Sequence, residues 1–226
     1  MVAFPNFTQL DLTGPFEVLG RLPNTEVLLI GETTEVIKSD TGLQLLPNTD
    51  FAHCPQLDVL FVPGGPGIDA ALENAPLLEF LQRQAAQAQY ITAVCTGSLV
   101  LAAAGLLQGY RATTHWLSLD LLALLGVTVV RERIVIDRNR LTGGGVTAGI
   151  DFALALAAQL RTPTIAQEVQ LVIEYNPAPP FVGGSPQTAP PDLVNSVINN
   201  RQGIMAQRRA IVERVKAKLA TNGSSQ

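Results

Sequence analysis

"YITAVCTGSLVLAAAGLL", residues 90–107, places one cysteine between an apolar run that suits a strand and one that suits a helix. Cys95 is followed at once by Thr96, Gly97 and Ser98. The stretch reads as strand, sharp turn and helix, with the thiol on the turn. A cysteine that merely fills space needs no glycine two residues later. A nucleophile on such a turn is held clear of a sheet, as in the serine elbow of α/β hydrolases. At a helix start the thiol would also meet free N–H groups and the positive end of the helix dipole. Both are expected to lower its pKa and favour the reactive thiolate. The bland alternative is a small residue in a helix–sheet contact, and the local sequence leaves the two open.

Working outward, Val27–Ile30, Val59–Val62 and Ile91–Val94 are short apolar runs without polar alternation. Strands covered on both faces look like this, as in parallel sheets. Helix-like segments lie between them, at 8–22 after a first strand at Val2–Phe4, at 68–88 and at 97–107. Strands alternating with helices predict a parallel sheet with helices on both faces. Residues 35–47 read instead as a hairpin turning at Asp40-Thr41-Gly42. A second β patch covers Val127–Val130, Ile134–Ile136 and Leu141-Thr142. Residues 143–160, "GGGVTAGIDFALALAAQL", form a glycine turn into a helix apolar on every side, hence packed on most of its circumference. Residues 176–191, "NPAPPFVGGSPQTAPP", predict an ordered arm, because Phe181 and Val182 would serve little purpose in a free linker. Beyond it, Ile204, Ile211, Val215 and Leu219 mark an amphipathic helix with a solvated basic side. The expected organisation is an α/β domain over 1–175 and an arm with a helix over 176–226, packed on that domain or on a partner subunit.

Composition narrows the function. Hydrophobic residues make up 47% of the 226 and charged ones only 15%, against a typical ~25%. Much surface is therefore buried, part of it expectedly against a second subunit, and a homodimer is the simplest such assembly. A net charge of −4 and a pI near 5.2 argue against nucleic acid. No apolar run reaches the ~20 residues of a membrane span, and no signal peptide opens the chain. Two cysteines are too few for a disulfide scaffold, so a soluble cytoplasmic protein is expected. Histidines and cysteines show no zinc spacing; no metal and no cofactor are expected.

Sites in open parallel sheets form at the carboxyl ends of the strands. Three segments converge there: "QLDLTGPFEVL" (9–19), "VPGGPG" (62–67) and "VCTGS" (94–98). They supply the Asp11 carboxyl, the Gly64-Gly65 turn and the Cys95 thiol. Asp11 reads either as a general acid/base or as a helix cap. Beside a thiolate its pKa would rise, since two negative charges cannot form cheaply together. The N–H groups of Gly64, Gly65 and Thr96 could stabilise developing charge, or the glycines could make an ordinary turn. His115, in "ATTHW", is a group behind Cys95 or a satisfied, half-buried histidine beside Trp116, and the second is favoured. Cys54, in a loop before a strand, reads as structural.

The Asp11 segment, "VPGG", "AVCTGS", "ATTHW" and "TGGGVTAGIDFAL" occur in the order seen in the ThiJ/PfpI superfamily, which the chain resembles along nearly its whole length. That resemblance implies a flavodoxin-like sheet with a nucleophile elbow, similar to class I glutamine amidotransferases. "LAAAGLLQGYRATTHW" and "EYNPAPPFVGGSP" narrow it to the isonitrile (isocyanide) hydratase group, since shorter members lack the second stretch. The group's activity implies a small apolar isocyanide as substrate. It also implies a cysteine nucleophile with an aspartate and the following threonine, roles that fall on Cys95, Asp11 and Thr96. Peptidase-like members carry histidine where this chain has Thr96, and aldehyde-handling members tend to carry glutamate where it has Asp11. Regulators of the superfamily append helix-turn-helix modules, for which a single basic helix is too little. The chain begins only a few residues before "FPNFTQLD", which makes the first strand look short. Competing readings are a glyoxalase-like or amide-hydrolysing enzyme using the same thiol, and a redox-sensing or ligand-binding protein.

Overall fold

The computed structural model describes residues 1–223. In chain order these form α1 (Gln9–Leu19), β1 (Ile30–Gly31), β2 (Ile37–Lys38), β3 (Gln44–Leu45), β4 (Thr49–Asp50), β5 (Val59–Val62), α2 (Ile68–Ala71), α3 (Ala75–Ala85), β6 (Tyr90–Val94) and α4 (Gly97–Ala103). Then come β7 (Arg111–Ala112), a 3-10 turn (Trp116–Ser118), α5 (Leu119–Leu124), β8 (Thr128–Val129), β9 (Ile134–Asp137), β10 (Arg140–Gly143), α6 (Ala148–Leu160), α7 (Pro163–Val172) and α8 (Pro191–Gly223).

The centre is a four-stranded sheet in the order β5-β6-β10-β9. β6 runs parallel to both β5 and β10, and β9 closes the edge antiparallel to β10. Val2 and Ala3 extend the sheet on the other side. The Val2 N–H donates to Phe61 O at 2.9 Å and the Ala3 N–H to Ile30 O at 2.8 Å, and β1 then pairs in parallel with β4. This is the doubly wound α/β arrangement expected from the alternation of elements. Leu60, Phe61, Val62, Ile91, Ala93 and Val94 are buried, as strands covered on both faces must be.

Several elements are shorter than the sequence suggests. Val2–Phe4 makes one bridge, because Pro5 has no N–H to donate and Asn6, at φ 60°, turns the chain away. In Val27–Ile30 only Ile30 joins a ladder. The Leu29 N–H instead donates to the Asn48 side chain at 2.7 Å. The helix expected over 68–88 is two helices. Asn74 breaks it with extended backbone, and its side chain accepts the Leu77 N–H, capping α3 ahead of Pro76. The hairpin at 35–47 is present as the β2–β3 pair, with Gly42 at φ +97° in its turn. α6 is buried or half-buried along nearly every face, packed against α1, α7 and the central strands.

α8 is 33 residues long, and among its described side chains the buried ones are Arg208, Ile211, Val212 and Val215, in the part that meets α4 and α5. None of the residues 191–207 is buried. Met205 packs against the core, and residues 191–204 before it, about 20 Å of helix at 1.5 Å per residue, leave their side chains exposed or at most half-buried. The arm before it touches the domain only partly. Phe181 and Val182 are each 83% exposed, so the expectation that they pack is not met within this chain. No helix among the described residues is long and apolar enough to cross a membrane.

Candidate active site

Cys95 sits where β6 ends and α4 begins, with φ 53°. Positive φ is uncommon for a residue with a Cβ and has to be held by its surroundings. Here it is held on both sides. The Cys95 N–H is shared between the carbonyls of Gly143 and Gly144, at 3.1 and 2.8 Å. Its own carbonyl accepts the hydroxyls of Thr114 at 2.8 Å and Ser98 at 3.2 Å. The elbow is therefore fixed by β10, by α4 and by the loop after β7. Nothing in the local sequence marks Ser98 or Thr114 for this role. In "ATTHW" it is Thr114, not His115, that reaches the elbow.

Asp11 lies on the first turn of α1 and is fully buried. It does not cap its helix. Its Oδ2 accepts the Gly64 N–H, 53 residues away, at 3.0 Å. Thr8, at the N-cap position, bonds instead to Asp40 on the β2–β3 hairpin. Oδ1 of Asp11 has no hydrogen-bond partner. The carboxyl and the Cys95 thiol are near enough that each shifts the other's pKa.

The Gly64-Gly65 turn ties these parts together. The Gly65 N–H donates to Thr96 Oγ1 at 3.0 Å, and the Thr8 N–H donates to Gly64 O at 2.9 Å. A side chain on Gly64 would stand 2.6 Å from Thr96 Oγ1 and 2.9 Å from Asp11 Oδ2. Gly65 adopts φ +130°, a conformation that glycine alone takes readily. Both N–H groups are thus engaged in positioning Asp11 and Thr96, and neither is a free donor in this structure.

Burial pushes the Asp11 carboxyl up to about 7, and the charge of Asp40 adds to this; the thiol and the Gly64 N–H pull the other way. Burial, and then the charge of Asp11, push the Cys95 thiol well above its usual range, opposed by the N–H and hydroxyl of Thr96. The expectation of a thiol pKa lowered by the helix start is corrected. α4 has only seven residues, and its dipole is outweighed by a 5%-exposed position beside a carboxylate. At neutral pH the pair keeps at least one proton, which can sit on sulfur or on oxygen.

His115 is half-buried, and its Nδ1 accepts the Leu117 N–H at 3.3 Å, capping the 3-10 turn. Burial, and then Arg208 and Arg201, hold its pKa below the usual value. No hydrogen bond joins it to Cys95 or Asp11. Cys54 is partly exposed, and its thiol donates to Pro55 O. A cleft of about 360 Å³ borders the elbow, lined by Thr114, His115, Trp116, Gly144 and, from the arm, Ser185 and Pro186. A larger cavity of about 410 Å³, lined by Met1, Leu28 and Arg161, lies at the opposite ends of the strands, away from the thiol.

The chain is 54% identical over 216 residues to the isonitrile hydratase of Pseudomonas putida, covering 96% of this chain and 95% of that protein. It is 37% identical over 160 residues to the HTH-type transcriptional regulator GbdR of Pseudomonas aeruginosa, spanning 67% of this chain and 43% of the regulator. Among solved structures, a ThiJ/PfpI family protein from Pseudomonas syringae superposes with a TM-score of 0.91 at 42% identity, over 94% of this chain and 88% of the other. The DJ-1/PfpI family model matches residues 1–159, the part that carries the sheet, the elbow and Asp11, and the chain belongs to that family.

Proposed function

We propose that this protein adds water to an isocyanide, R–N≡C, giving the N-substituted formamide R–NH–CHO, with Cys95 as nucleophile and Asp11 as proton carrier. The observation that carries the reading is a buried carboxyl, poised near neutrality, beside a thiol on an elbow. The near-full-length likeness to an isonitrile hydratase supports the substrate class.

The chemistry follows from the shared proton. As sulfur bonds to the terminal carbon, the thiol proton passes to the Asp11 carboxylate. The carbon's electron pair then takes that proton, leaving a thioimidate, R–N=CH–S–Cys95, and an ionised Asp11. Asp11 accepts a proton from water as the oxygen bonds to carbon, and returns it to nitrogen. When the C–S bond breaks, the hydroxyl proton moves through Asp11 to sulfur and the formamide leaves. Thr96, held by Gly65, orients the sulfur. The thiol and the carboxyl supply nucleophilic and acid–base catalysis without a cofactor. The buried thiol and its raised pKa speak against the redox-sensor alternative, which calls for an accessible, low-pKa cysteine.

The test is incubation with a simple alkyl isocyanide and detection of the formamide. Below the Asp11 pKa both groups are protonated and no base remains. Activity is therefore expected to rise with pH through about 7, and to persist until the thiol, held well above its usual range, gives up the second proton. Turnover measured from about pH 5 to about pH 9 checks this. A rate highest at the acid end and falling through neutrality would overturn the assignment of Asp11.

A homodimer completes the reading, with residues 1–175 as its α/β domain and 176–226 as the appended arm and helix, of which 224–226 lie outside the described residues. Leu171, Val172, Phe181, Val182, Leu193, Ile198 and Ile204 are exposed apolar residues within one C-terminal stretch. The uncovered first half of α8 lies in the same stretch. A second copy would cover what this chain leaves in water. Light scattering is expected to give twice the chain mass of 24.0 kDa; one chain mass at micromolar concentration would exclude it. Two free thiols fit a reducing cytoplasm.

A further inference from the structure

Among the described residues, only two side chains of the Asp, Glu, Lys and Arg types are buried, Asp11 and Arg208. Charged groups are rarely buried without a purpose or a partner. Asp11 belongs to the site. Arg208 lies near the middle of α8, and its Nε donates to Asp69 Oδ1 at 2.6 Å, across 139 residues of sequence. Such a pair is weak evidence for stability, because desolvation of both ions offsets their attraction. Its position is more informative.

Asp69 is the second residue of α2, which starts directly after the Gly64-Gly65 turn. α2 is a single turn of four residues, too short to hold itself. The Ile68 N–H bonds back to Gly65 O, the Asp69 N–H to Pro66 O, and the Gly67 N–H to Asn6 O. The turn and α2 therefore form one piece. At one end, that piece presents the Gly64 N–H to Asp11 and the Gly65 N–H to Thr96. At the other, it is braced by Arg208.

We propose that Arg208 is a positioning residue for the reaction at Cys95: through Asp69 it braces α2 and the 64–67 turn, and that turn sets where the Asp11 carboxyl and the Thr96 hydroxyl sit. The proposal rests on the hydration reading for its substrate. It gives the C-terminal helix a part in catalysis without bringing any of its residues to the reacting atoms.

The test compares Arg208→Met, Arg208→Lys and Asp69→Asn with Arg214→Met as control. Arg214 lies further along α8 and pairs with Glu73, beyond the C-terminal end of α2 and outside the 64–67 turn. Three quantities are read: kcat and KM for an alkyl isocyanide, the pH midpoint of activity, and the pH dependence of Cys95 alkylation by iodoacetamide in folded protein. A slackened turn misplaces Asp11 and Thr96, so Arg208→Met is expected to lose about ten-fold or more in kcat with KM little changed. The Gly64 N–H holds the Asp11 pKa down, so weakening it moves the midpoint upward. The other titratable groups acting on Asp11 are Cys95 from the elbow and Asp40 from the hairpin. α6 presents Gly149 and Ile150 to α1 and adds no charge at that contact. Arg208→Lys should fall between wild type and Arg208→Met, and Arg214→Met should leave all three readouts in place.

A folded Arg208→Met protein with wild-type kcat and midpoint overturns the proposal. If Arg208→Met does not fold, the near-isosteric Asp69→Asn decides by the same measurements. Loss of Arg208 also lets the His115 pKa rise. A midpoint shift that vanishes when His115→Asn is added would overturn the route through α2. If wild type makes no formamide, the hydration reading fails by itself. The alkylation curves then decide: a shifted curve in Arg208→Met supports the brace, and a superimposable one refutes it.

Discussion

Cys95→Ala is expected to lose formamide production by at least ~10⁴-fold while remaining folded. The size follows from the role: no other thiol stands on the elbow, and the Thr96 and Ser98 hydroxyls are engaged with Gly65 and with the Cys95 carbonyl. The fold should survive because the elbow is held by main-chain bonds. The Cys95 N–H is taken by Gly143 and Gly144, and its carbonyl by Thr114 and Ser98. Alanine keeps all of these and keeps the positive φ. Cys95→Gly should be equally inactive yet melt at a higher temperature than Cys95→Ala, since the left-handed backbone costs a residue with a Cβ roughly 1–2 kcal/mol. Cys54→Ala, which changes a loop thiol bonded only to Pro55 O, should retain activity. Product analysis and thermal melts check all three, and a Cys95→Ala protein with near-wild-type turnover would remove covalent catalysis.

Asp11→Asn is expected to lose ~10²- to 10⁴-fold in turnover, the usual worth of general acid–base help. Two further readouts should move the opposite way. First, the charge of Asp11 is one of the causes that raise the Cys95 pKa. Without it the thiol ionises more readily, so iodoacetamide should label Cys95 faster in the variant than in wild type. Second, the fold should become more stable at high pH. The folded carboxyl has its pKa raised from 3.8 to about 7, so wild type loses stability as pH rises through that interval, when the buried group must ionise. Asparagine has no charge to bury. At ~1.4 kcal/mol per pKa unit the gap approaches roughly 4 kcal/mol above neutrality and closes near pH 4. Melting curves at the two pH values give the difference directly. A variant that is slower, less stable at every pH and no more reactive at sulfur would mark Asp11 as a packing residue.

The order of strands and helices was legible because parallel strands buried on both faces leave uninterrupted apolar runs, and because glycine and proline punctuate them. The edges were less so. Leu29 has the composition of a strand residue but is satisfied by the Asn48 side chain, a contact between loops that no local pattern announces. Asn74 and Pro76, by contrast, spell a helix start inside the 68–88 segment, and the apolar periodicity on both sides obscured it. At the site, Asp11, Gly64, Thr96 and Cys95 could be brought together because each follows a strand of one sheet. The direction of the thiol pKa could not be read. It depends on whether burial and a carboxylate outweigh a short helix dipole, and that balance exists only once α1 lies against the elbow. Arg208 looked like one cation of a solvated basic face. Its burial depends on a partner 139 residues away.

The 5% exposure of Cys95 has a consequence for which molecules can react there. Little of the residue is open, so a reagent that leads with a slim end has the advantage. An isocyanide meets this condition, because its reacting carbon is terminal and carries no substituent, with R trailing in line behind nitrogen. A carbonyl compound presents its electrophilic carbon between two substituents and must come in broadside. Cross-section at the leading atom, rather than recognition of R, would then do most of the sorting. Linear and branched alkyl isocyanides should react at similar rates as long as the bulk begins beyond nitrogen. Amides and ketones of the same size, whose carbonyl carbon is flanked on both sides, should react far more slowly.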